Sequence, residues 1–207
     1  MNYESLILDI DGTLWDSRAL VAEGYNIQLK NEGLEHLFVT AEDLLPLFGK
    51  VMTEIADNIF ASVPESDRYD LMERCMATEN KYLEENPCHI GYPGIRETLE
   101  ELAKTHRLFI VSNSQCGYPE LCMDKLGIRH LICDHLCFGD TGTSKGQTVL
   151  RLMAKNAVTS AAYIGDTQGD YEASAEAGIP FIWATYGFGV PERYDAKIET
   201  FADLLKL

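Results

Sequence analysis

The 207-residue chain is short of positive charge, of long apolar runs and of paired cysteines, and each shortage removes a class of function. Seventeen Lys and Arg stand against 33 Asp and Glu, a formal net charge of −16, so the average surface potential repels phosphate backbones and anionic lipid head groups. Nucleic acid and membrane surfaces are therefore not expected partners. No apolar run approaches the roughly 18–20 residues that span a bilayer, and Met1-Asn2-Tyr3-Glu4-Ser5 lacks the basic and apolar segments of a secretion signal. The expected location is the cytoplasm. Six cysteines are present, Cys75, Cys88, Cys116, Cys122, Cys133 and Cys137, but no CxxC pair, and without secretory features they read as reduced thiols. The stretch containing His130, Cys133, His135 and Cys137 has zinc-type ligands, yet the alternation of the last three suits one face of a strand and buried thiols rather than a zinc site.

What is present is the balance of an ordinary globular protein, 46% hydrophobic and 24% charged, with room for one large domain or a core domain with an insert. Short apolar runs ending in small polar residues alternate with helical patterns, the signature of βα units around a parallel sheet. The runs are Leu6–Leu8, Leu108–Val111, Tyr163-Ile164 with the alanines before it, and Phe181–Trp183. Ile95, Leu99 and Leu102 follow Pro93-Gly94 at helical spacing, Asp170 opens an alanine-rich helix that stops at Gly178-Ile-Pro180, and Gln147 to Lys155 reads as a helix preceded by a loop. Phe201 to Leu205 reads as a short amphipathic turn. Residues 16–88 contain no strand-like run; Leu20, Val21, Tyr25 and Leu29 form one helical stripe, with Asp16 or Ser17 as N-cap, and Tyr69, Met72, Met76 and Leu83 another. The expected architecture is α/β: a Rossmann-like parallel sheet flanked by helices, residues 1–15 and 89–207, with an all-helical insert, 16–88, as a lid above the carboxyl ends of the strands.

Those carboxyl ends carry the chemistry. In open α/β sheets the ligand site lies outside them. Asp9-Ile-Asp11-Gly-Thr13 follows the first run and offers two carboxylates two residues apart, which repel unless a cation is bound or one stays protonated. Gly165-Asp166-Thr-Gln-Gly-Asp170 ends another run, with Asp170 placed to support a metal site from behind. Ser112-Asn113 ends a third and supplies hydroxyl, amide and backbone donors suited to phosphate oxygens. Lys145 lies in the glycine-containing segment Thr143-Ser-Lys145-Gly146 and reads as the cation that holds an anionic substrate.

The order DxDGT, SN after a strand, Lys, then GDxxxD resembles the four motifs of the haloacid dehalogenase-like hydrolases, over essentially the whole chain, with a helical cap inserted after Asp16. The resemblance implies that Asp9 is a nucleophile forming an aspartyl-phosphate. It implies that Asp11 is the general acid and then the base for water, and that Thr13, Ser112, Asn113 and Lys145 contact the transferring phosphoryl group. Mg2+ would be held by Asp9, the backbone carbonyl of Asp11, and Asp166. Asp11 with Asp166 favours a phosphate ester over carbon–halogen chemistry, because an alkoxide leaving group needs a proton. The implied activity is hydrolysis of a small phosphorylated metabolite, phosphoglycolate phosphatase-like, by a monomer or weak homodimer. A mutase of the β-phosphoglucomutase type, a phosphonatase, and a phospho-accepting signalling or silent binding protein are the alternatives. The loop Leu45-Pro-Leu-Phe-Gly49-Lys50 lies where cap-bearing relatives choose the leaving group, which makes Lys50 a candidate contact to the substrate. The Tyr186-Gly-Phe-Gly189 turn reads equally as pocket wall or as packing. One departure is local: phosphoglycolate phosphatases commonly follow the motif lysine with proline, and here Gly146 follows Lys145.

Overall fold

The computed structural model describes residues 3–207. Strand β1 (Ser5–Leu8) leads into the helices α1 (Arg18–Asn31), α2 (Ala41–Leu44), α3 (Met52–Ile59) and α4 (Glu65–Glu85). The chain continues through α5 (Ile95–Leu102), β2 (Arg107–Ser112), α6 (Tyr118–Leu126), β3 (Ile132–Cys137), α7 (Phe138–Thr141), α8 (Lys145–Lys155), β4 (Ala161–Gly165), α9 (Gln168–Ala177), β5 (Phe181–Ala184) and β6 (Ala196–Ile198). A final 3-10 turn covers Phe201–Lys206.

Two compact units result. One gathers the chain up to Asp16 with Ile90–Leu207, and the other is Ser17–His89. The junctions fall one residue later than the sequence reading places them, because Asp16 N–H donates to Ile90 C=O at 3.0 Å and Tyr92 N–H to Leu14 C=O at 3.1 Å, which zips the outgoing and returning passes together within the first unit.

In that unit six parallel strands stand in the order β3-β2-β1-β4-β5-β6. Strands β1 and β4 are buried throughout, and β2 in all but its first residue, the pattern of a sheet covered on both faces. Leu8 pairs with Ile110 of β2 and with Ile164 of β4, so the residues after these strands emerge at one edge. From β1 the chain steps outward through β2 and β3, then returns to the other side of β1 at β4. The strand order therefore reverses between β1 and β4, the kind of point outside which open α/β sheets bind their ligands. The core beneath includes Ile7, Phe109, Val111, Val149, Leu152, Tyr163 and Phe181.

The two outer strands, β3 and β6, are not among the apolar runs that mark the other four, although the alternation of Cys133, His135 and Cys137 does suit β3. Strand β3 lies at the sheet edge with Cys133 exposed and only Cys137 fully buried, so Asp134 and His135 break its apolar run and its thiols are not uniformly buried. Strand β6 is three residues long. Two helix starts also shift. Ser144 caps α8 by accepting from Gln147 N–H at 3.2 Å, which makes Lys145 the first helical residue rather than part of a loop. Thr167 caps α9 and Asp170 is its third residue, reciprocally bonded in a capping box, so Asp170 does not open the helix.

In the helical unit Leu20, Val21, Tyr25 and Leu29 are buried on α1 as expected, and Ser17 is the N-cap. On α4 the buried face is Leu71, Met72, Cys75, Glu79 and Leu83, whereas Tyr69 is exposed and Met76 only partly buried. The buried Glu79 interrupts the apolar pattern and hides the true stripe from the sequence.

Truncation of the fully buried Phe109 to Ala is expected to cost about 3–5 kcal/mol in urea unfolding, against less than about 0.5 kcal/mol for Phe38→Ala, which is 67% exposed. Comparable losses for the two would contradict the assignment of the core.

Candidate active site

The first two residues after β1 set the geometry. Asp9 N–H donates to Ile164 C=O at 2.9 Å, continuing the sheet ladder, after which Thr13 and Leu14 N–H both turn back to Ile10 C=O at 3.2 and 2.7 Å. Gly12 closes this turn at φ +83°, and a Cβ there would lie 2.2 Å from Asp166 Oδ2. Only glycine satisfies both the backbone angle and the space. The loop after β1 is thus pressed onto the carboxylate that ends β4.

Lys145 lies between two carboxylates. Its Nζ is 2.7 Å from Asp9 Oδ1 and 2.5 Å from Asp170 Oδ1, and the three side chains are 5% exposed or less. The other Asp170 oxygen accepts from Asp166 N–H at 3.2 Å, Thr167 N–H at 2.9 Å and Thr167 Oγ1 at 2.7 Å. Asp166 is fully buried, with Phe188 N–H donating to its Oδ2 at 2.6 Å and Thr13 Oγ1 reaching its Oδ1 at 3.5 Å. The Tyr186–Gly189 turn packs against the site residues, with Phe188 N–H donating to Asp166 and Tyr186 OH to Thr13 C=O at 2.9 Å.

Charge at this edge is unevenly satisfied. Burial pushes Asp9 up to about 7, the Asp170 charge adds to it, and Lys145 offsets it only in part. Burial, then the Asp170 and Asp9 charges, hold Asp166 well above the usual carboxylate range. Asp170 ends below its ordinary value, because the burial that would raise it is outweighed by Lys145 and the Thr167 donors. Burial works against the Lys145 charge too, but Asp170 and Asp9 keep its ammonium well above the ordinary lysine value. Three carboxylates around one ammonium leave excess negative charge that a cation would relieve. The carboxylates of Asp9, Asp166 and Asp170 offer oxygens within 4.8 Å of one another, a hard donor set of the kind magnesium takes. With Asp170 already engaged by four donors, Asp9 and Asp166 are the better-placed ligands.

Asp11 stands apart from this cluster, half-buried, with Oδ1 accepting from Trp15 Nε1 and Tyr118 OH at 2.8 Å each. The two donor rings pack edge to face, 5.5 Å between centroids. Ser112 is buried at the last position of β2, where its Oγ accepts from Ser114 N–H at 3.2 Å, and Asn113 follows half-buried. Asp9, Asp166, Asp170 and Lys145 are joined directly, and Thr13 touches Asp166. Lys50 belongs to the helical unit, 44% exposed and 4.0 Å from Glu54. Trp15, Tyr118, Thr167 and the Phe188 N–H were not singled out from the sequence. Trp15 was within reach, four residues beyond Asp11, but nothing local marks Tyr118.

Comparison with known proteins bears on the family and the fold. Residues 6–184 match the family model described as haloacid dehalogenase-like hydrolase. A phosphoglycolate phosphatase of Agrobacterium fabrum is 29% identical, over 96% of this chain and 89% of its own. That of Aquifex aeolicus is 26% identical, over 98% and 95%. Among solved structures, a haloacid dehalogenase-like family hydrolase from Streptococcus pneumoniae superposes with a TM-score of 0.82 at 20% identity, covering 99% of this chain and 97% of that one.

Asp9 titrates near 7 when folded and at the ordinary 3.8 when unfolded, so the folded protein keeps a proton that the unfolded chain has lost, and stability falls as pH rises through that window. Asp9→Asn removes this penalty. In EDTA, its melting temperature relative to wild type is expected to increase from about pH 5 to about pH 8; a constant or shrinking difference would contradict the charge excess.

Proposed function

The chain belongs to the haloacid dehalogenase-like hydrolase family, and from that premise we propose that it is a magnesium-dependent phosphatase acting on a small phosphate monoester through an aspartyl-phosphate. The observation that carries this reading is the buried Asp9–Lys145–Asp170 chain beside Asp166 at the point where the strand order reverses. Asp9 supplies the attacking carboxylate oxygen, kept in line by Lys145. Lys145 also neutralises charge on the equatorial phosphoryl oxygens, with the donors of Thr13, Ser112 and Asn113. Asp11, pinned by Trp15 and Tyr118, protonates the leaving oxygen and then takes a proton from the water that attacks the aspartyl-phosphate. Asp170 holds Lys145 and, through the Asp166 and Thr167 N–H groups, the backbone around Asp166. Asp9, Asp166 and the Asp11 carbonyl would hold magnesium, whose charge would screen the repulsion between a carboxylate and an anionic ester.

The substrate we propose is a phosphorylated small acid, with 2-phosphoglycolate the first to test because the curated relatives carry that name. Lys50 is assigned the substrate carboxylate. The Gly146 that replaces proline has a structural reason of its own: a Cβ there would lie 2.7 Å from Glu176 Cβ, and Glu176 bonds Ser144 Oγ at 3.0 Å and Gln147 Nε2 at 2.6 Å. That departure serves the packing of α8 on α9 and does not count against a phosphoglycolate-like substrate. Among the described residues no helix is long and apolar enough to cross a membrane, and we place the enzyme in the cytoplasm as a monomer or weak homodimer.

Phosphate release from p-nitrophenyl phosphate and from 2-phosphoglycolate is expected to require Mg2+, and Asp9→Asn should lower kcat by about 10³-fold or more. Wild-type turnover in that variant would exclude the covalent route. Lys50→Ala should lower kcat/KM for 2-phosphoglycolate about 10- to 100-fold, the equivalent of one charged hydrogen bond, and leave the aryl ester unchanged. A uniform loss, or none, would remove Lys50 from substrate recognition.

A further inference from the structure

We propose that Cys116, Cys137 and Asp140 form a second metal site, selective for a thiophilic divalent cation of the zinc class. The spacing of His130 to Cys137 alone argues against such a site, and the ligands are indeed not that set. Cys137 ends β3, Asp140 lies three residues on in α7, and Cys116 comes from the separate loop between β2 and α6. One ligand atom from each lies within 4.8 Å of the other two. Cys137 Sγ is 3.1 Å from Asp140 Oδ2 and Cys116 Sγ is 3.6 Å from Asp140 Oδ1.

The convergence is built into the backbone. Gly139 N–H donates to Ser114 C=O at 3.1 Å, tying the two segments, and Cys137 N–H fixes Asp140 Oδ2 at 2.8 Å. A Cβ on Gly139 would lie 2.5 Å from Cys116 N and 2.8 Å from its Sγ, so the glycine is what lets the thiol in. Tetrahedral zinc with sulfur at about 2.3 Å and oxygen at about 2.1 Å needs donors roughly 3.5–3.8 Å apart. Cys116 Sγ and Asp140 Oδ1 already stand at that spacing, and Cys137 Sγ and Asp140 Oδ2, 3.1 Å apart, need to open by about half an ångström, with a fourth position left to water.

Two thiols and one carboxylate select a different ion from the all-oxygen cluster at Asp9, so the two sites sort zinc from magnesium by ligand softness. Burial and then the Asp140 charge push the Cys116 thiol up, and burial with the Asp140 hydrogen bond does the same for Cys137. Without metal, both sulfurs are therefore protonated donors to Asp140. Binding breaks two S–H bonds, forms two metal–sulfur bonds and one metal–oxygen bond, and releases two protons to solvent with no change of oxidation state. Bound metal would staple the loop that follows Ser112 to the end of β3.

The test is Co2+ titration of the full chain, read by thiolate-to-cobalt charge-transfer absorption, which oxygen ligands do not give. Wild type, Asp9→Asn and Cys133→Ser are expected to develop the band at one cobalt per chain and to lose it on adding Zn2+. Cys116→Ser, at an exposed position that the fold tolerates, should abolish it, and Asp140→Asn should weaken cobalt binding at least tenfold. Absence of the band in wild type, its persistence in Cys116→Ser, or its dependence on Cys133 would each overturn the site.

Discussion

The carboxyl edge of this sheet depends on one buried ammonium shared by two carboxylates. Taking Lys145, Asp9 and Asp170 out of water carries a desolvation penalty of several kcal/mol per ion, and only close mutual pairing offsets it. Lys145 is also the first residue of α8, where the positive end of the helix dipole opposes its charge. The arrangement holds because each partner is fixed independently: Asp9 by the β1–β4 ladder, Lys145 by the Ser144 cap, Asp170 by the capping box of α9. Removing Lys145 leaves both carboxylates buried without their cation, whereas removing either carboxylate leaves Lys145 paired with the other. The residual excess of negative charge, seen in the upward displacement of Asp9 and Asp166, is what a bound cation would relieve.

Around this core of charges, packing is tight. Gly12 admits the Asp166 carboxylate, and the Phe188 N–H and Tyr186 hydroxyl brace the loop from the β5 side. Asp11, two residues from Asp9, is drawn into a separate aromatic setting by Trp15 and Tyr118. Two carboxylates two residues apart thus have different surroundings, the condition for dividing nucleophilic and proton-transfer roles between such a pair.

Much of this was legible in the sequence because the information is local. Strands β1, β2, β4 and β5 are built on apolar runs, Asp9 and Asp166 directly follow β1 and β4, and Ser112 closes β2. What was not legible is set by long-range contact or by competing local signals. Tyr118 is 107 residues from Asp11 and became its partner only through folding. Lys145 and Gly146 look like loop, yet Ser144 caps α8 just before them, and Glu79 conceals the buried face of α4. The half-polar β3 could not be recognised as a full edge strand, and Cys116 meets Cys137 only through the parallel pairing of β2 with β3.

The central claim, that Asp9 carries the phosphoryl group in the covalent intermediate, is tested most directly by trapping. Acid quench of the enzyme turning over 2-phosphoglycolate with Mg2+, followed by borohydride reduction and peptide mass spectrometry, converts an aspartyl-phosphate to homoserine. The account predicts homoserine at position 9 and nowhere else. Homoserine at Asp11 or Asp166, or turnover with no reducible acyl phosphate, would contradict it.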